Sequence, residues 1–284
     1  MLLLGVGCAS GSPPATRPSP APAPTSPSPG TDPVRVEPTR DLLVRYPRAG
    51  GGIVRYAFVR RDSVVATMPS GETQVQILGR TAFVTLTWVA SDSGTRITAS
   101  VDSVIPDPVL GDLGPMLDSA RLSRWSGLRR PSGKLGELTG GPGSLAGDQI
   151  RDQLALLFPI LPADGARPGT TWTDTTSGLA RVSAFEATET ALVASRAEAM
   201  MTATGALPLA VVRTRSATGQ GTQFGQPMTL KATGSDTLAY QIAPDGRVVN
   251  VDGIRVTDLV VELSAIGQSV PAHERSVLRM SLLR

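Results

Sequence analysis

From position 53 to the C-terminus, apolar residues return at every second position, and that period dictates extended chain rather than helix. Over 81–90, Ala82, Val84, Leu86 and Trp88 fall on one face and Thr81, Thr85 and Thr87 on the other, with Phe83 out of step. Ser91-Asp92-Ser93-Gly94 carries turn chemistry. The return run sets Ile97, Ala99 and Val101 against Arg96, Thr98, Ser100 and Asp102. The pattern predicts a half-buried β-hairpin, with 53–60 and 74–78 as its sheet neighbours.

Further strands are expected at 207–216, 228–233, 237–243, 247–251, 256–264 and 273–283, separated by Gly, Pro and Asp-Gly turns. The stretch 180–201 is rich in Ala and Glu, which favour helix. Its Phe185, Ala187, Ala191, Val193, Ala197, Ala199 and Met201 share one parity, so it reads as strand. Two helices break the alternation. One opens with Pro115 at the first helical position and runs to Ser123, with Met116, Leu117 and Ala120 as its stripe. The other is capped by Ser144, aligns Ile150, Leu154, Leu157 and Phe158 opposite Asp148, Arg151 and Asp152, and stops at Pro159. The turn Pro168-Gly169-Thr170-Thr171-Trp172 then delivers a tryptophan to the core, against Leu154, Leu157 or Phe158. The fold class is mainly β, a β-rich α+β chain: a curved antiparallel sheet or sheets with one or two helices packed on one face. Residues 41–284 form a single β-rich domain. An echo of Val101-Asp102-Ser103-Val104 in Val251-Asp252-Gly253-Ile254, each following a strand and a turn, raises the alternative of two related β-halves.

The N-terminus is of another kind. Leu2-Leu3-Leu4-Gly5-Val6-Gly7 is a short apolar run ending at Cys8, the chain's single cysteine. Residues 9–40 then hold ten of the 24 prolines, interleaved with Ser, Ala and Thr. Such a segment buries too little apolar surface to offset its ordering entropy, so a disordered, polyproline-like linker is expected. The run of small residues before Cys8 resembles the lipobox of bacterial lipoproteins, in truncated form, since only seven residues precede the cysteine and none is basic. The resemblance implies lipidation at Cys8 and a lipid anchor in the cell envelope, on the outer membrane or the periplasmic face. The order of β-meander, helix, Leu161-Pro162, Pro168-Gly169-x-x-Trp172 and second β-run is similar to β-rich envelope lipoproteins. That family carries no catalytic residue onto this chain.

Absences narrow the chemistry. One cysteine excludes an intrachain disulfide framework, and one histidine, His273, excludes a His-cluster metal site. His273 shares parity with Arg275, Val277 and Arg279, opposite Leu278, Met280 and Leu282, so it is expected to face solvent. Neither Lys134 nor Lys231 lies three residues after a serine, so a Ser-x-x-Lys nucleophile is excluded. The Asp-Gly pairs at 164, 245 and 252 read as turns rather than calcium loops, and no cofactor is called for. Eleven aromatic residues are too few for a carbohydrate-cleaving cleft. One stretch stands out: Arg121, Arg124, Trp125, Arg129, Arg130 and Lys134 lie within fourteen residues that hold no acid. They form a candidate patch for an anionic surface, a lipid or polymer phosphate rather than nucleic acid.

Two readings follow. The first is a non-enzymatic envelope lipoprotein that binds an apolar small ligand or an envelope partner protein through a curved sheet. The second is an envelope hydrolase with an acidic site that no motif reveals. Converging carboxylates in a cleft mark the hydrolase, and an apolar pocket lined by strands marks the binding protein.

Overall fold

In the computed structural model the described residues are 43–47, 50–107, 117–141, 144–182, 185–223, 226–263 and 267–283. Cys8, the proline tract and the start of the expected first helix lie outside them. The chain is mainly β. Ten antiparallel strands, β1 to β10 in chain order, make one open sheet: β1 (Gly51–Thr67), β2 (Thr73–Ser91), β3 (Gly94–Pro106), β4 (Arg124–Arg129), β5 (Thr171–Val182), β6 (Phe185–Ala197), β7 (Leu207–Gln223), β8 (Gln226–Ile242), β9 (Val248–Leu263) and β10 (Gln268–Leu283). Their spatial order is β4-β3-β2-β1-β10-β9-β8-β7-β6-β5, two meanders joined where β1 pairs with β10.

The β2–β3 hairpin matches its pattern. Ala82, Val84, Leu86, Ile97, Ala99 and Val101 are buried, and Trp88 is half-buried. Phe83 faces away from this core, where the Arg55 guanidinium covers its ring at 5.4 Å. At Phe83/Val84 the register shifts, so that Asp102 has no partner residue on β2 and accepts hydrogen bonds from Arg55 Nε and Thr85 Oγ1, both at 2.8 Å. The echoing Val251-Asp252 lies in the β8–β9 hairpin, where Val251 is buried and Asp252 accepts from Arg279 Nε at 2.6 Å.

Several strands run longer than their patterns suggest. Gln226–Ile242 is one strand, as is Val248–Leu263, because Gly234 and Gly253 sit inside the ladder instead of ending it. A Cβ at Gly253 would strike the Leu238 side chain, and one at Gly234 would crowd Val256 and the Arg215 guanidinium. Each glycine is a place where a neighbour passes close to the backbone, which is the other use of Gly in a strand. The Asp252-Gly253 turn is thereby corrected. Phe185 to Ala197 forms a strand with the expected parity, but it stops before Ala199 and Met201, and the preceding residues belong to a separate β5.

One helix, α1 (Leu145–Leu156), lies on the sheet face that carries the core. Ser144 Oγ accepts from Gly147 N at 3.1 Å, the expected N-cap. Ile150, Leu154 and Leu157 are buried against Phe58, Met280, Val251 and Tyr240 of the sheet's centre. Tyr240 Oη donates to Leu156 O at 2.8 Å, so the sheet itself satisfies a carbonyl at the end of α1. Of the expected first helix, Leu117 and Asp118 are helical and run on into a 3-10 turn, Ser119–Leu122. Trp172 opens β5 half-buried, packs against the main core and donates from Nε1 to Ile160 O at 2.9 Å.

Candidate binding face

Alternation puts every second residue of each strand on the face that carries α1, and pairing arranges these residues in rows across the sheet. The row Phe58–Met280–Val251–Tyr240–Leu209 is apolar and lies in the main core. Two rows along, past Arg60–Leu278–Gly253–Leu238–Val211, the row Asp62–Ser276–Arg255–Asp236–Arg213 is charged. Beyond that, Leu259, Ala232 and Ala217 begin a second, smaller apolar cluster that includes Phe185, Met228 and Leu230. A belt of charge therefore separates two apolar regions on one face.

The belt is internally neutralised. Asp236 is fully buried and accepts from Arg255 Nε at 2.9 Å, Arg215 Nε at 3.0 Å and Arg213 Nη1 at 3.2 Å. Burial opposes its ionisation, but Arg255, Arg215 and Arg213 outweigh that and hold the carboxyl below its ordinary value. Glu189 takes Arg215 at 3.0 Å and Arg213 at 3.4 Å, while Arg60 joins Asp62 at 2.7 Å to Glu274 at 2.9 Å. Asp152 on α1 faces the same belt. Its enclosure raises the carboxyl pKa, and Arg255, Arg151 and Arg60 pull it back. Sequence patterning misses this network because charges at inward strand positions break the alternation by which a core is recognised. The signal present is Arg213 and Arg215 sharing the parity of buried Val211.

At the other end of the main core is a partly open slot of about 40 Å³. Its walls are Val54 and Tyr56 of β1, Leu86 and Trp88 of β2, Ile97 of β3, and Leu157 and Phe158 just after α1. Tyr56 Oη donates to Val248 O at 2.7 Å, and burial pushes its pKa above the ordinary tyrosine value. Arg129 of β4 completes the slot. It is 6% exposed, its guanidinium lies 4.4 Å from the Tyr46 ring centre and 5.6 Å from that of Phe158, and its pKa is lowered by burial. Nη2 makes only long contacts, to Thr95 Oγ1 at 3.3 Å and Pro47 O at 3.5 Å, and Nε has no acceptor.

These positions revise the basic patch. In β4, Trp125 stands opposite Ala99 and Arg129 opposite Thr95, so both point into the core, and Trp125 is 2% exposed. Arg124, Arg130 and Lys134 are exposed, and Arg121 is exposed and paired with Asp118 at 2.9 Å. The six do not share a surface, because the segment that reads as a charge cluster is an alternating strand.

The opposite face bears an open groove of about 560 Å³ crossing β1, β10, β9, β8 and β7. His273 lies in it, exposed as expected, with Nδ1 2.7 Å from Asp258 Oδ1. Its cross-strand neighbours are Val65 and Asp258. The groove's serine, Ser216, is three strands away on β7, about 14 Å at the usual strand spacing, and the hydroxyl residue beside the pair is Thr233, opposite Asp258 on β8. Among the described residues no group of three or more His, Cys, Asp or Glu side chains is placed to hold a metal ion. No helix among them is long and apolar enough to cross a membrane. No protein-family model matches this chain, and no curated protein matches it in sequence.

Proposed function

We propose that the chain is an envelope lipoprotein, anchored through Cys8, that binds an apolar ligand where its curved sheet meets the end of α1. The observation that carries this reading is the slot between Trp88, Leu86, Ile97 and Phe158, an apolar recess lined by strands. Hydrolysis is less well supported. Asp62, Asp236, Glu189 and Glu274 are each held by a guanidinium, which leaves none of them free as a general base.

Two measurements test the halves of this reading. Titration of the full chain with 1-dodecanol is expected to shift the fluorescence of Trp88, identified by its absence in Trp88→Phe. Val54→Phe, which fills the slot from its half-buried rim, is expected to abolish the saturable signal while the protein stays folded. A Val54→Phe protein that binds as the parent does would place the ligand elsewhere. For the anchor, Cys8→Ser is expected to move the protein from the membrane fraction to the soluble envelope fraction. A parent protein already soluble and free of acyl chains would end the location argument.

A further inference from the structure

We infer that the chain forms a two-fold dimer in which β5 of one copy pairs antiparallel with β5 of another, joining two ten-stranded sheets into one. An open sheet ends in two edges, and their unpaired N–H and C=O groups can pair with any strand that meets them unless something blunts them. The edge at β4 is blunted twice. It is six residues long, and 134–139 lie across it through Ser126–Thr139 and Gly136–Leu128 backbone bonds. The edge at β5 is twelve residues long, keeps an unbroken register against β6 from Thr171–Arg196 to Val182–Phe185, and contains neither proline nor lysine. Among the described residues no other segment hydrogen-bonds to its outer backbone. Trp172 holds one end of the strand to the core, while Leu179 toward the other is 86% exposed.

The hydrogen-bond phase of β5 fixes which groups a partner meets. Ala197 N donates to Thr170 O, so by alternation the even-numbered residues of β5 face β6. Thr171, Thr173, Thr175, Ser177 and Leu179 therefore turn their N–H and C=O outward. A side chain already occupies one of these donors, since Thr175 N donates to Asp174 Oδ1 at 2.7 Å. A second copy is the occupant that fits. Pairing of β5 with β4 of the next copy would run head to tail into an open filament, and 134–139 bar it. Pairing of β5 with itself closes after two copies. In the antiparallel register centred on Thr176, Thr175 meets Ser177 of the second copy, and such hydroxyl pairs across strands are favourable. Asp174 meets Gly178, where a side chain's place is open space, so the two Asp174 carboxylates stay apart. One strand from each side makes a small interface, and the dimer is therefore reversible.

The test uses the full chain carrying Cys8→Ser, which removes acylation and any disulfide between copies, in sedimentation equilibrium over a dilution series. The chain is expected to pass from monomer to dimer as its concentration rises. In the dimer the amides of Thr173, Ser177 and Leu179 are expected to exchange more slowly. Thr173→Pro removes an outward N–H and spares the β5–β6 ladder, as proline on an edge strand does, and is expected to abolish the dimer in a protein that stays folded. Asp174→Ala releases the Thr175 N–H in each copy and is expected to tighten the dimer about tenfold. A chain that stays monomeric up to its solubility limit overturns the inference. So does a dimer unmoved by Thr173→Pro, which places the interface elsewhere, and so does growth past the dimer, which means an open assembly. Should Thr173→Pro fail to fold, Ser177→Pro makes the same test further along the edge.

Discussion

Replacing Asp236 with alanine is expected to destabilise the fold by about 3–5 kcal/mol, the usual cost of removing one partner from a buried ion cluster. Asp236 has no solvent exposure and is the common acceptor of Arg213 and Arg215 on one neighbouring strand and Arg255 on the other. Without it, three guanidiniums converge on a gap with Glu189, Thr257 and the charge of Asp152 left to them. Urea unfolding measures the effect, and removing Arg255 in the same chain is expected to recover part of it, since the double variant leaves fewer unpaired charges. The pH dependence has a definite sign. The Asp236 carboxyl is lowered in the folded state, so its contribution is complete above the ordinary carboxylate pKa of about 3.9. It is lost as pH falls through the lower folded value. The gap between parent and Asp236→Ala is therefore constant near neutrality and closes only in strong acid. A gap that closes near pH 6 would assign the stabilisation to some other group.

Trp125→Ala is expected to cost a similar 3–5 kcal/mol and to lower Tm by roughly 10 °C. The indole is almost wholly enclosed, and Ala99 across the ladder leaves the room it fills. It is also the one large apolar side chain that β4 sends into the core, since the inward positions that follow are Gly127 and Arg129. β4 is short and ends the sheet, with its outer edge covered by 134–139 through Ser126–Thr139 and Gly136–Leu128 backbone bonds. Loss of the anchor is expected to loosen this edge before the rest, seen as faster amide exchange over 124–139. An unchanged Tm would mean that the tryptophan contributes little to the core.

Local features were legible where a single element decided them. The β2–β3 hairpin, the Ser144 cap, the buried stripe of α1 and the solvent-facing His273 follow from period and capping chemistry alone. Strand lengths were not, because Gly234 and Gly253 look like turn residues until Arg215 and Leu238 are seen against them. β5 escaped because its Thr, Asp and Ser side chains give no alternation, and only Trp172 signals that it docks. The slot is less legible still. Its walls come from Pro47, Val54, Leu86, Ile97, Arg129, Phe158 and Val248, which are near one another only after the whole sheet has formed. Arg129 itself reads as one more cation in a basic run, and its enclosure depends on tertiary packing with Tyr46.

The pairing of β1 with β10, from Arg55–Leu283 to Ala66–Ala272, also sets an order of assembly. Every other strand pair in the sheet is a hairpin or a meander step between sequence neighbours, so β1–β4 and β5–β10 can each form from local contacts. The central seam is the exception. Closing a loop of that length costs little more free energy than closing a short one, since the entropy grows only with the logarithm of length, but long-range pairing is slow. During that wait both meanders expose an unpaired central edge, β1 on one and β10 on the other, each able to recruit a foreign strand. A chain delivered across a membrane from its N-terminus would carry the β1 edge open until its last sixteen-residue strand arrived. The time before that strand arrives is when the molecule is most exposed to misassembly, and its closure is the step a chaperone of this protein would have to guard.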